Sequence, residues 1–364
     1  MFFVSDNAAP VAPEVMAALA RANEGFAMPY GNDAGMEHVR QRIRDLFDAP
    51  EAAVYLVATG TTANALSLAL FCPPWSTVFC HRHAHIAEDE CGAPEFFSAG
   101  AKLTLVDGAE GKMTPAGLAE AIASTARGGV HNVQRGMVSL TNITEAGTLY
   151  TPAEVAALTD VAKAEGLPCH MDGARFANAL VASGASPAEM TWKAGIDVLS
   201  FGGTKNGLMG VEAVVIFDPA RAWEFELRRK RAGHLFSKHR YLSAQMAAYL
   251  ADDLWLRLAE AANRAGQRLA AGIAATPGGS LAAPPAANLM FATLPRAAHN
   301  RARNEGAAYY IMSRDAGMEG PDETPQLARF VTSWCTSDAE VDRFLSLIRG
   351  RGSRAGCAQR PSCA

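Results

Sequence analysis

Paired cysteines are missing from this sequence. Its seven cysteines fall singly, with no Cys-x-x-Cys spacing, which argues against a zinc ribbon, a dithiol redox pair or a disulfide framework. Scattered thiols of odd number suit a reducing compartment. Long apolar runs are missing too: no stretch approaches the roughly 20 residues of a membrane-spanning helix. Nor is there an excess of one charge. Lys and Arg total 33 against 37 Asp and Glu, a net −4, so nothing favours nucleic acid or an anionic membrane as partner. The opening MFFVSDN lacks a basic region and reaches Asp6 at once, unlike a secretory signal. No internal repeat is present. What is left is a soluble globular composition, 49% hydrophobic and 19% charged over 364 residues. That is enough for a large domain plus a smaller one, and the scattered thiols predict a cytoplasmic protein.

Two short stretches carry the chemistry. HMDGAR (170–175) and SFGGTKNG (200–207) each end an apolar, strand-like run, 167–172 and 196–201, in small and reactive residues. In an open α/β sheet, ligands bind beyond the carboxyl ends of strands, which gathers Asp172, Arg175 and Lys205. A lysine amine condenses with an aldehyde once its pKa is low enough to leave it neutral. A carboxylate beside a pyridine nitrogen keeps that nitrogen protonated. Together they suit pyridoxal 5'-phosphate, whose ring is then an electron sink. A P-loop is excluded, because Thr204 precedes Lys205 and Asn206 follows it, where glycine and Ser/Thr are required. Taken singly, Lys205 reads as a surface lysine on a glycine-rich turn, and Asp172 as a turn or cap residue. Their pairing and order favour the cofactor.

Further along, Thr59-Gly60-Thr61-Thr62-Ala63-Asn64 follows a strand at 53–57 and opens an apolar helix, the arrangement that binds phosphate at a helix N-terminus. His81, His83 and His85 alternate and could face a metal; no further ligand set accompanies them, and no metal is assigned. Arg228–Arg231 reads as a solvated helix face. Other strands are expected at 77–80, 102–106, 136–141, 211–217, 288–294 and 328–332, with helices at 13–22, 36–47, 114–125, 152–165, 242–275 and 341–348.

HMDGAR followed by FGGTKNG resembles the L-threonine aldolase family, low-specificity type. These are pyridoxal-phosphate enzymes of the aspartate-aminotransferase-type fold (fold type I), akin to the β-eliminating lyases. The resemblance runs from Ser5 to about Trp334. It implies an α/β fold: a large domain, 1–246, whose mostly parallel central sheet is flanked by helices. A small C-terminal α/β domain, 247–350, and a disordered tail, 351–364, complete the chain. It also implies site residues. Gly60, Thr61, Thr62 and Thr204 belong to the cofactor phosphate end, with Arg240 reaching the phosphate of a neighbouring chain. His85 stacks on the pyridine ring within an HIxxxE-x-GA pattern. Lys205, His85 and Asp172 are catalytic. Ser5, Arg175 and Arg329 hold the substrate carboxylate, Arg175 also touching the cofactor, and Tyr30 lies in the family's Tyr-Gly-Glu/Asp-Asp turn. Many members carry histidine where this chain has Thr144, in TNITE; Thr144 is expected beside the substrate's β-carbon. The implied reaction splits L-threonine, L-allo-threonine and related β-hydroxy-α-amino acids, phenylserine among them, into glycine and an aldehyde. The implied assembly is a dimer of dimers with active sites at subunit interfaces. The rivals are a β-eliminating lyase or transaminase on the same scaffold, and a non-catalytic interaction protein.

Overall fold

Apolar strands rich in Val, Leu and Ile, separated by helices, build a seven-stranded sheet of order β1-β7-β6-β5-β4-β2-β3. The computed structural model describes residues 1–314 and 317–350; the expected tail, 351–364, lies outside them. The strands are β1 (Ala53–Val57), β2 (Ser76–His81), β3 (Lys102–Val106), β4 (Gln134–Thr141), β5 (Cys169–Gly173), β6 (Val198–Phe201) and β7 (Glu212–Ile216). From β3 through β2, β4 and β5 to β6 the pairing is parallel. Only β7 runs the other way, antiparallel to both β6 and β1. Six carboxyl ends therefore share one edge of the sheet. The reversal brings the amino end of β7, Glu212, to that edge opposite Val57.

Helices cover both faces, as a mostly parallel sheet requires. On one face α1 (Pro13–Ala22), α2 (Ala34–Leu46) and the helix Arg240–Leu250 enclose the main core. Phe47, Phe176, Phe201 and Trp255 interlock beneath β5 and β6, with ring centroids 5.4–5.8 Å apart. They fix the two strand ends that carry the site. On the other face α3 (Gly60–Phe71) is apolar nearly all round and correspondingly buried. The basic run departs from expectation. Arg229 is buried, stacked 5.0 Å over the Tyr55 ring and paired with Glu226, while Lys230 and Arg231 stay exposed or nearly so. Its aliphatic stem and planar head suit an aromatic face better than water alone.

A second core lies between a four-stranded antiparallel sheet and the helices Leu254–Ala274 and Asp338–Arg349. Its strands, in order β10-β11-β9-β8, are β8 (Ser280–Leu281), β9 (Leu289–Pro295), β10 (Tyr310–Ile311) and β11 (Pro325–Val331). The chain's first residues join this core. Phe3 is fully buried, 5.2 Å from the Phe344 ring centroid, and its backbone bonds to Ala308 and Val331. That anchoring delivers Ser5–Asn7 to the edge of the large sheet. Among the described residues no helix is long and apolar enough to cross a membrane.

Candidate active site

The edge where six strands end holds a cavity of about 370 Å³. Asp172, on β5, and Lys205, just past β6, both line it. Asp172 is buried; its Oδ1 accepts from Ala174 N–H at 3.0 Å and its Oδ2 from the Asn64 amide at 2.9 Å. The turn to Lys205 passes tightly over neighbouring backbone. A Cβ on Gly202 would lie 2.4 Å from Ala174 O, and one on Gly203 2.8 Å from Val211 O, so both positions demand glycine. Glu212 closes the turn, its Oε2 accepting from Gly203 N–H at 2.6 Å. Burial pushes the Glu212 carboxyl up to about 7.

The other wall is the N-terminus of α3. Thr59 caps it, its hydroxyl accepting from Thr62 N–H at 3.2 Å. Gly60 and Thr61 line the cavity, and space is open around Gly60, where a Cβ would meet nothing within 4 Å. Free N–H groups and the helix dipole make this an anion site. Thr204 also lines the cavity. Thr62 does not: its hydroxyl pairs with Thr59 Oγ1 and His234 Nε2, each at 2.9 Å, which braces the cap.

His85 enters from the loop after β2. Its Nδ1 lies 2.8 Å from Glu90 Oε1, and Asn64 Nδ2 donates to that same oxygen at 2.9 Å. The hydrogen bond to Glu90 raises the His85 pKa, helped by Asp172 against the cost of partial burial. Burial raises that of Glu90 in turn, against the pull of His85. His81 instead binds Gly108 O, and exposed His83 pairs with Glu88.

The expected carboxylate clamp is arranged differently. Arg175 is buried and paired bidentately with Asp6, at 2.7 and 2.9 Å, and neither residue lines the cavity. Asp6 also accepts from Asn288 at 3.0 Å. Burial alone would raise the Asp6 pKa, but Arg175 overrides it and holds the carboxyl below its ordinary value. Ser5 is a cap, its hydroxyl accepting from Asn7 N–H at 3.1 Å; Asn7 is the residue of this segment in the cavity wall. Arg329 is half-buried, donates to Val4 O at 3.2 Å and does not line the cavity. Burial and the charge of Arg175 lower its pKa, against Glu145 and Asp6.

Thr144 does not reach the cavity. It is buried, with its hydroxyl 2.7 Å from Thr148 Oγ1 and accepting from two N–H groups of its own turn. A threonine hydroxyl satisfies such a turn locally. The half-buried Glu145 beside it carries the charge felt by His85, Arg175 and Arg329. Tyr30 and Arg240 lie outside the cavity as well. Tyr30 is 45% exposed, with Lys230 Nζ 5.4 Å over its ring. Arg240 donates to the carbonyls of Glu24 and Gly25. Sequence reasoning assigned no role to Asn7, Asn64, Glu90, Glu145 or Glu212. Asn64 and Glu90 stood inside quoted motifs; Glu212 had no signal beyond an acid opening an apolar strand.

Comparison with known proteins shows the family. The family described as beta-eliminating lyase matches residues 3–295. A low specificity L-threonine aldolase of Pseudomonas aeruginosa is 42% identical over 347 residues, 95% of this chain and 96% of that one. Another, from a Pseudomonas species, is 41% identical over the same shares. Among solved structures, a Leishmania major threonine aldolase superposes with a TM-score of 0.87 at 28% identity, covering 96% and 98% of the two chains. The chain belongs to the beta-eliminating lyase family, alongside the low specificity L-threonine aldolases.

Proposed function

We propose that this protein is a pyridoxal-phosphate-dependent aldolase that cleaves L-threonine, L-allo-threonine and related L-β-hydroxy-α-amino acids to glycine and an aldehyde. One observation carries the reading. Asp172 and Lys205, on adjacent parallel strand ends, line a single cavity with the N-terminus of α3. An acid, an amine and an anion site are the three anchors this cofactor needs, and the near-full-length likeness to named aldolases supports the same chemistry. When bound, the cofactor supplies an electron sink for the pair released at Cα.

Each residue then has a task. Lys205 would hold the cofactor at its aldehyde, and Asp172, held in place by Asn64 and Ala174, would keep the pyridine nitrogen protonated. Gly60, Thr61 and Thr204 would hold the phosphate. Arg329 and Asn7 orient the amino-acid carboxylate, so that the Cα–Cβ bond stands where its cleavage is assisted. Arg175 acts at one remove, holding the N-terminal segment through Asp6. His85 lines the cavity and takes the β-hydroxyl proton. A subunit contact completes the site in this reading: exposed Phe26, Met28 and Tyr30 form a surface with Arg240, and a second chain covers it within a cytoplasmic homotetramer.

The test is product analysis. The purified protein is given threonine, allo-threonine, phenylserine and serine, and aldehyde, glycine, ammonia and pyruvate are measured. Aldehyde with equimolar glycine supports the reading; ammonia with a keto acid, and no aldehyde, sinks it.

A further inference from the structure

The cavity contains a buried carboxylate to which the reading above gives no task. The Glu90 side chain is 0% exposed, whereas that of His85 is 27% exposed. Glu90 Oε1 takes two donors, His85 Nδ1 at 2.8 Å and Asn64 Nδ2 at 2.9 Å. The same amide nitrogen also donates to Asp172 Oδ2 at 2.9 Å. One amide thus bridges the two acids. One side-chain nitrogen or oxygen from each of His85, Glu90 and Asp172 lies within 4.8 Å of the other two.

Protonation follows from this geometry. An ionised carboxylate only accepts hydrogen bonds, so the ring proton of a neutral His85 sits on Nδ1 and the lone pair on Nε2. Among the described residues Nε2 has no hydrogen-bond partner, and the ring lines the cavity. We propose that Glu90 is a positioning residue: it holds His85 in the Nδ1–H form and so keeps Nε2 as the proton acceptor for the substrate's β-hydroxyl. This rests on the aldolase reading above. As the Cα–Cβ bond breaks, its electron pair stays with Cα. The β-oxygen becomes the aldehyde carbonyl, and its proton moves to Nε2. The imidazolium so formed is matched by the Glu90 carboxylate 2.8 Å away. Proton return from Nε2 to Cα then completes glycine.

Several charges face His85. Glu90 and Asp172 favour its protonated form, as does Glu145 from the loop after β4, whereas Lys205 opposes it. Glu90 is the strongest of these influences, so its loss lowers the pKa of His85. The base then stays unprotonated to lower pH, and the acid limb of the rate profile moves the same way.

The experiment uses the holoenzyme. Ring 15N–1H NMR, with His85 assigned by difference from His85→Asn, reads the tautomer in the wild type. The pH profile of kcat/KM with allo-threonine is then taken for wild type, Glu90→Gln and Glu90→Asp. The expected tautomer is Nδ1–H. Glu90→Gln should lower the plateau about ten- to a hundredfold, by analogy with carboxylate partners of ligating histidines, and shift the acid limb to lower pH. Glu90→Asp should restore part of both. An Nε2–H tautomer in the wild type, or an acid limb that Glu90→Gln leaves in place, overturns the proposal. The tautomer decides even where a variant fails to fold. A wild type that releases no aldehyde breaks the aldolase reading instead, and the NMR result still stands for Glu90.

Discussion

The cavity and the buried network beside it are built on different principles. The cavity wall is made largely of strand ends and one helix start: Asp172 on β5, Lys205 after β6, Gly60 and Thr61 on α3. Each piece is complete within a few consecutive residues. The neighbouring network is assembled from segments remote in sequence. Asp6 meets Arg175 across 169 positions, Asn288 reaches Asp6 across 282, and Arg329 binds Val4 O across 325. A local motif brings its own backbone geometry with it. A remote contact exists only after the chain has packed, and here the buried Phe3 ties the N-terminal segment into the second core.

Substitutions can break or sharpen that contrast. The largest effect belongs to the cavity wall. Lys205→Ala should lower turnover at least about a thousandfold, as expected for removal of a covalent anchor. It should also abolish the pyridoxyl adduct that borohydride fixes on this residue. Peptide mapping that finds the wild-type adduct on another lysine would refute the assignment. Asp172→Ala should follow, with a loss of about two orders of magnitude in kcat, the usual cost of one charge-stabilising group; near-normal kcat with cofactor bound would contradict it.

In the neighbouring network, stability should respond before chemistry. Removing either partner of the buried Asp6–Arg175 pair strands the other, at about 3–5 kcal/mol. Denaturant unfolding of both single variants and the double variant should show strong coupling. Additive losses would mean that the pair is not the tie between the N-terminal segment and β5.

Glu212 gives a pH signature at the seam. Its folded pKa, about 7, lies above the ordinary 4.5. The folded state thus holds this proton more tightly, a stabilisation present below about 4.5 and lost as pH rises through 7. The Tm of the wild type should therefore fall relative to Glu212→Gln between those values and run parallel above them. A constant difference across that window would remove the carboxyl from the account.

Thr144→Ala should be the mildest. Its hydroxyl serves its own turn, so a small loss of stability is expected, about 1 kcal/mol for one hydrogen bond, with the ratio of threonine to allo-threonine turnover unchanged. Glu145→Gln should move that ratio. The opposite pattern in kcat/KM would put Thr144 back beside the substrate.

Much of the fold was legible in order. The strands at 53–57 and 102–106 and the helix at 13–22 match Ala53–Val57, Lys102–Val106 and Pro13–Ala22 as observed, because apolar periodicity and Pro at a helix start are local signals. The two-residue strands β8 and β10 had too few residues to show a period. The reversed direction of β7 was equally invisible, since strand direction depends on the path of the connection and not on composition.

The same boundary divides the site. By itself the sequence placed Asp172 and Lys205 at the ends of neighbouring strands and Gly60 and Thr61 at a helix start, because strand ends and helix starts carry their geometry with them. It also supplied the glycines that let Lys205's turn lie flat against its neighbours. Only the tertiary structure decided that Arg175 answers to Asp6, that Thr144 closes its own turn, and that Glu90, Asn64 and Asp172 form one hydrogen-bonded group around His85. The reason is physical. A buried charge or hydroxyl takes whichever partner packing brings within about 3 Å, and packing is a property of the whole chain.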